Sequence, residues 1–167
     1  MEFAIESPLG MIVIAASDTA ITALNFVGPK RKPDAASAGT PLLREAADQL
    51  RAYFAKRLRE FDLPLALEGT KFQKRVWREL AKIPYGETLS YGAVAKKLRT
   101  APRPIGGACG SNRIAIVIPC HRVLGAAGAL GGYSSWSGPA IKRYLLELEG
   151  VTEKSIAKSA AAQTHAA

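Results

Sequence analysis

A proline, a cysteine, a histidine and an arginine stand in succession at Pro119-Cys120-His121-Arg122, directly after the apolar run Ile114-Ala115-Ile116-Val117-Ile118. A thiolate attacks carbon and a thiol does not, so a reactive cysteine needs polar or basic surroundings that lower its pKa from about 8.5. His121 is the chain neighbour of Cys120. The apolar run predicts a buried strand that delivers Cys120 at its end, fixed by Pro119. Neighbours in an extended chain point to opposite sides, so contact between Cys120 and His121 requires a tight turn or a bridging water. The plainer reading of such a thiol is a small buried apolar side chain, and the flanking residues favour the nucleophile. The remaining cysteine is Cys109, and the histidines are His121 and His165. These cannot build a disulfide framework or a Cys-rich zinc site. Two free thiols fit a reducing cytosol.

The charge is uneven. The 167 residues carry 23 Lys+Arg and 14 Asp+Glu, a formal +9, and residues 69–113 alone hold ten basic and two acidic groups, or +8. A local field of this kind suits a polyanion such as nucleic acid, although charge alone also fits a solvated helix face. An apolar fraction of 48% with 22% charged residues excludes a largely disordered chain. The length suits one domain or two small ones. No apolar run approaches the ~20 residues of a membrane span. Met1-Glu2-Phe3-Ala4 lacks the basic opening of a signal peptide.

The elements that must position these groups fall into two halves. Phe3–Ile5, Met11–Ala15 and Ile21–Phe26 predict a three-strand meander, with turns at Pro8-Leu9-Gly10 and Ser17-Asp18. Thr40-Pro41 predicts a helix start, and Leu43, Ala46, Leu50 and Phe54, with Ala47, predict its buried face. Leu63–Leu67 reads as a further strand, at an edge because of Pro64. In the second half, Thr70 and Gln73 form a capping box for a helix packing Phe72, Val76 and Leu80. Ser90 caps a helix over Tyr91–Leu98. The stretch from Ile105 to Asn112 contains three glycines, a poor helix by propensity, whose small side chains let the backbone approach something closely. Two short helices followed by such an element resemble a helix-turn-helix. A last helix over 140–149 packs Ile141, Tyr144, Leu145 and Leu148, and 152–167 reads as a disordered tail.

Ile118-Pro119-Cys120-His121-Arg122-Val123 resembles the active-site motif of the O6-alkylguanine-DNA alkyltransferases. The resemblance covers residues 3–150. Ser7-Pro8-Leu9-Gly10 resembles the family's early turn. Gly69–Gln73, Val76-Trp77, Ile83–Thr88 and Ser90-Tyr91-Gly92 resemble the run that opens its DNA-binding half. Arg103 with Ile105-Gly106-Gly107-Ala108, then Asn112, resembles the recognition helix and its exit. Gly131-Gly132-Tyr133, Lys142, Leu145-Leu146 and Glu149-Gly150 resemble the substrate loop and last helix.

The resemblance implies an α+β chain: a ribonuclease H-like sheet-and-helix domain at 1–68, then a winged-helix-like, helix-turn-helix domain at 69–151 that binds DNA and accepts the alkyl group. It implies a single-turnover repair protein, acting as a monomer in the cytoplasm on double-stranded DNA, with no cofactor, metal or membrane. Cys120 takes the alkyl group from O6 of guanine, and from O4 of thymine, and is not regenerated. The target is flipped out of the stack, since its alkyl group cannot be reached inside it. Arg103 fills the vacated space, and Ile105, Gly106, Gly107, Ala108 and Ser111 lie along the DNA. Tyr91 crowds the 3′ phosphate and donates to N3 of the leaving guanine, where negative charge develops. His121 deprotonates Cys120 through a water and Glu149 orients His121. An acid at a helix C-terminus is otherwise disfavoured by the dipole. Asn112 braces the active-site turn. The carbonyls of Cys120 and Val123 accept from the guanine 2-amino group, the amide of Ser134 donates to O6, and Tyr133 and Trp136 line the alkyl side of the pocket.

The chain departs from the pattern in three places. Tyr91 and Arg103 are two residues closer than in the family, and Pro104 follows Arg103, which biases Arg103 away from helical backbone. Arg113 stands where the family has proline. Ser134–Pro139 is about two residues longer than the usual loop, which bears on the alkyl groups accepted. Three rival readings fit the sequence less well. Alkyltransferase-like DNA binders lack the acceptor cysteine, a winged-helix transcription factor needs no Pro-Cys-His-Arg, and a cysteine hydrolase needs turnover and an oxyanion hole.

Overall fold

The structure is a computed structural model that describes residues 1–35, 38–130 and 138–165. The chain folds as two compact units: Met1–Glu68 with Arg113–Val117, and Gly69–Asn112 with Ile118–Ala167.

In the first unit, β1 (Glu2–Ser7), β2 (Gly10–Ala16) and β3 (Ile21–Val27) form an antiparallel meander in the order β1-β2-β3. Its register sets Phe3 opposite Ile14 and Ile14 opposite Leu24. The first turn closes on Gly10, at φ +100°, with Ser7 Oγ donating to the Gly10 carbonyl at 2.7 Å. α1 (Pro41–Phe54) packs against β1 and β2. Thr40 caps it, accepting from Leu43 N–H at 3.3 Å, and Pro41 occupies the first position. Its buried stripe is Leu43, Ala46, Ala47, Leu50 and Tyr53. Tyr53 completes the stripe, and Phe54, which also falls on this face by its spacing, is only half-buried.

Two expected strands are not strands. Leu63–Leu67 makes a single bridge, Leu65 to Ile21, held by Ile21 N–H to Pro64 O (2.8 Å) and Ala66 N–H to Ile21 O (2.9 Å). Ile114–Ile118 likewise bridges β3 once, at Leu24, and then turns. The turn holds Ile116 at φ +70° with its side chain buried. A β-branched residue in the left-handed region is strained, and here tertiary burial overrides the β propensity of the run.

The second unit begins with α2 (Lys71–Leu80), closed by a full capping box between Thr70 and Gln73. It buries Val76, Trp77 and Leu80, while Phe72 is only half-buried. β4 (Leu89–Ser90) leads directly into α3 (Tyr91–Leu98), capped by Ser90. α4 (Pro102–Gly110) follows after a turn in which Arg99 adopts φ +55°. The glycine-bearing stretch is therefore helical. Arg103 is helical too, although it precedes proline. Pro102 and Pro104 sit in the first turn, whose N–H groups have no intrahelical acceptor in any case. Trp77 Nε1 donates to the Ala108 carbonyl at 2.8 Å and ties α2 to α4.

A one-turn 3-10 helix, Cys120–Arg122, precedes β5 (Val123–Leu124), which pairs in parallel with β4. α5 (Gly138–Leu148) buries Ile141, Lys142, Leu145 and Leu146, with Tyr144 and Leu148 half-buried. The segment expected to be a disordered tail forms α6 (Glu153–His165). Its Ile156 packs with Leu124, Leu146 and Val151. No helix among the described residues is long and apolar enough to cross a membrane.

Candidate active site

Cys120 opens the 3-10 turn instead of ending a strand. Its N–H donates to the Ile118 carbonyl at 2.8 Å, and its own carbonyl accepts from Val123 N–H. In such a turn successive side chains diverge by a third of a revolution, so Cys120 and His121 leave the backbone in different directions while remaining neighbours. Cys120 is 3% exposed. Asn112, just past α4, donates from Nδ2 both to the Ile118 carbonyl at 2.9 Å and to Cys120 Sγ at 3.2 Å. The same side chain thus braces the turn and offers a hydrogen bond to sulfur, which favours its charged form.

Beyond the thiol lies a buried charged cluster. His121 Nε2 meets Glu149 Oε1 at 2.8 Å. Arg122 grips the same carboxylate twice, Nε to Oε2 at 2.9 Å and Nη2 to Oε1 at 2.8 Å, and its Nη1 donates to the Ile83 carbonyl at 2.6 Å. Gly86 N–H adds a fourth donor, 3.2 Å from Oε2. Burial alone pushes the Glu149 pKa up, but the hydrogen bonds and charges of His121 and Arg122 outweigh it and hold the carboxyl well below its usual range. Burial also pushes the His121 pKa down, against the pull of Glu149. The result is a neutral imidazole beside an ionised carboxylate. A carboxylate only accepts, so Nε2 carries the proton and Nδ1 carries the lone pair. His121 Nδ1 is buried and has no hydrogen-bond partner among the described residues.

A second group surrounds the phenol of Tyr91, the first residue of α3. Lys142, fully buried on α5, donates to the Val123 carbonyl at 2.6 Å and to Tyr91 Oη at 3.4 Å. Its ammonium also stands 5.5 Å from the centre of the Tyr91 ring. Burial lowers the Lys142 pKa, while the neighbouring thiols, Cys120 and Cys109, raise it. Burial, then the same two thiols, pushes Tyr91 up to about 12, so the phenol keeps its proton at neutral pH. Burial and then Cys120 likewise push Cys109 up to about 12. Cys109 is thus the unreactive thiol of the two.

The structure brings together Cys120, His121, Glu149, Asn112 and Tyr91, and places the Val123 carbonyl under Lys142. Arg122 and Lys142 were missed as site residues. The signal for Lys142 was a lysine set inside an apolar helical stripe. That for Arg122 was its place in the motif.

On α4 the structure divides the expected DNA-facing residues. Arg103, Gly107 and Ser111 are exposed and Gly106 is half-buried, whereas Ile105 and Ala108 point inward and are buried. A side-chain contact of Ile105 or Ala108 with DNA is excluded, because both pack in the core of this unit. Tyr133, Ser134 and Trp136 lie outside the described residues.

Comparison with known proteins gives one consistent answer. The chain matches the model of the 6-O-methylguanine DNA methyltransferase ribonuclease-like domain over residues 3–67. It matches that of the 6-O-methylguanine DNA methyltransferase DNA binding domain over residues 71–151. It is 49% identical over 150 residues to the methylated-DNA–protein-cysteine methyltransferase of Methanosarcina acetivorans, covering 87% of this chain and 95% of that one. The protein of that name from Mycobacterium tuberculosis is 47% identical over 150 residues, covering 87% and 89%. Among solved structures, the M. tuberculosis protein in complex with DNA superposes with a TM-score of 0.77 at 42% identity, covering 92% of this chain and 96% of that one. The O6-methylguanine-DNA methyltransferase of Pyrococcus kodakaraensis gives 0.57 at 26% identity, covering 90% and 100%.

Proposed function

This chain belongs to the O6-methylguanine-DNA methyltransferase family, and from that premise we propose how its own residues carry out the transfer. The protein binds DNA and moves the alkyl group of O6-alkylguanine irreversibly to its own cysteine.

Cys120 is the acceptor. The thiol proton passes through a water to Nδ1 of His121, whose imidazolium Glu149 then stabilises. Sulfur forms its bond to the alkyl carbon as the carbon–O6 bond breaks, and the electron pair leaves with the guanine. Asn112 supports the sulfur while it carries charge. Tyr91 gives its hydrogen bond to guanine N3. Because Lys142 donates to the phenol oxygen, the Tyr91 proton is free to point elsewhere. Arg122 holds Glu149 in place. The observation that carries this reading is His121, fully buried, with Nε2 on Glu149 and a lone pair at Nδ1 that lacks a protein partner among the described residues.

Duplex DNA lies along the outer face of α4. A Cβ built on Gly106, Gly107 or Gly110 meets nothing within 4 Å, so packing inside the protein does not demand glycine there. Glycine costs about 1 kcal/mol against alanine at each helical position. The demand then comes from a backbone outside the protein, and the basic groups of residues 69–113 attract it. Arg103, exposed at the head of α4, fills the gap left by the flipped base. The protein acts as a monomer in the cytoplasm, and alkyl groups on O4 of thymine are a second substrate. After incubation with duplex containing O6-methylguanine, the intact protein should gain the mass of one methyl group, on Cys120. Cys120→Ala should gain none and still bind DNA. A methyl group mapped to Cys109, or repeated turnover by one molecule, would sink the mechanism.

A further inference from the structure

The matched DNA-binding domain ends at residue 151, and α6 begins at Glu153. From α6, Gln163 reaches back to β4. Its Oε1 accepts from Ser90 N–H at 3.0 Å and its Nε2 donates to the Thr88 carbonyl at 3.4 Å. These are the two groups, flanking Leu89, through which a strand bonds one residue of a parallel neighbour. The opposite edge of β4 is already paired, Leu89 with Val123 and Ser90 with Leu124. A single glutamine thus stands where a third strand would.

The strand it closes joins the two halves of the site. β5 continues directly from the Cys120–Arg122 turn. β4 ends at Ser90, the cap of α3, and the next residue is Tyr91. Ser90 Oγ accepts from Ala93 N–H at 3.0 Å, and the Ser90 backbone N–H is given to Gln163. α6 is also fixed to the β5 side through Ile156, which packs with Leu124. Ordering a residue in a single backbone conformation costs entropy, so a two-residue strand open on one edge would fray.

We propose that α6 is a positioning element of the alkyl-transfer site, with Gln163 acting through Ser90 on the placement of Tyr91. The inference rests on the reading of Tyr91 as the donor to the departing guanine.

The test uses the full chain. Gln163→Leu keeps the bulk of the side chain and removes both hydrogen bonds, and Gln163→Glu keeps only the acceptor for Ser90 N–H. Each is made with Tyr91 present and in a Tyr91→Phe background. Two rates are measured: single-turnover methyl transfer from O6-methylguanine duplex, and alkylation of Cys120 by iodoacetamide, which has no guanine to stabilise. Gln163→Leu should slow methyl transfer about fivefold with Tyr91 present and less than about twofold without it, the non-additivity of residues acting as one unit. Gln163→Glu should recover part of the rate, and the iodoacetamide rate should not change. Equal slowing in both backgrounds, or a parallel loss with iodoacetamide, would overturn the proposal in favour of general loosening. If Tyr91→Phe slows transfer and Gln163→Leu does not, this inference alone fails. If Tyr91→Phe transfers at the normal rate, the role of Tyr91 fails and the inference falls with it.

Discussion

His121 and Glu149 meet at 2.8 Å, Nε2 to Oε1, with both side chains wholly out of solvent. That contact dictates how stability responds to acid. Folding holds His121 neutral, with a pKa below its ordinary 6.5, because burial outweighs the attraction of Glu149. Below pH 6.5 the unfolded chain takes up a proton that the folded chain refuses, so stability falls with pH from there down. Glu149 is shifted below its ordinary 4.5, although burial alone pushes it up, because the bonds from His121 and Arg122 prevail. Its contribution is complete above pH 4.5 and is lost as pH drops towards the folded-state value. Urea midpoints should be level at neutral pH and decline from pH 6.5 to about 5. His121→Gln should flatten that decline. A wild-type midpoint that is the same at both ends of this range would contradict the neutral buried imidazole.

Lys142 separates stability from activity. Its ammonium is buried against the Val123 carbonyl and the Tyr91 phenol, with its pKa pushed down by burial. Exchanging a buried cation for an apolar side chain of similar volume relieves the cost of burying its charge, less the cost of the carbonyl it leaves without a donor. Lys142→Met should therefore hold or raise the melting temperature. Methyl transfer should drop by about tenfold or more, because the phenol loses the cation that orients it. A variant that melts well below the wild type would make the lysine a structural strut.

What could be read beforehand follows the range of the interactions. The caps at Thr40, Thr70 and Ser90 were legible because each joins a side chain to a backbone three residues away. The run Ile114–Ile118 misled because its apolar residues are buried in a turn around Ile116, and burial and strand look alike in composition. α6 escaped because Ile156 is its one large apolar residue and Gln163 holds β4 through its amide, neither visible as an apolar periodicity. Glu149, Asn112 and Tyr91 were placed by resemblance, since the distances that unite them with Cys120 and His121 are tertiary. Arg122 and Lys142 are buried only because partners 27 and 19 residues away receive them.

Arg103 sets a prediction about substrate form. It is exposed at the second position of α4, with Pro104 after it holding the first turn. On a duplex, the gap left by a flipped base costs a few kcal/mol of lost stacking, which an inserted side chain partly offsets. A free O6-alkylguanine base has no gap to fill. Arg103→Ala should slow transfer from duplex by about tenfold and leave transfer from the free base within about twofold. Equal losses on both substrates would point to damage at the thiol, away from the DNA face.

The glycines of α4 give the sharpest separation between the protein's own stability and its partner. Gly107 is exposed, helical and open at the Cβ position, so alanine fits without displacing any atom. Alanine should stabilise the helix by about 1 kcal/mol, since it removes backbone freedom from the unfolded chain and adds no clash. In the docking proposed above, the same methyl group projects from the face that the DNA backbone approaches. Gly107→Ala should therefore melt higher than the wild type and bind duplex DNA more weakly, while reacting with a free O6-alkylguanine base at an unchanged rate. Calorimetry, titration of a fluorescent duplex at fixed salt and the free-base rate measure the three quantities independently. Salt must be held constant because the basic segment makes affinity fall steeply with it, by a slope of about −0.9 in log K against log salt for each neutralised phosphate. A higher melting temperature with undiminished DNA affinity would show that DNA does not press on this face of α4, and the glycines would then need another cause.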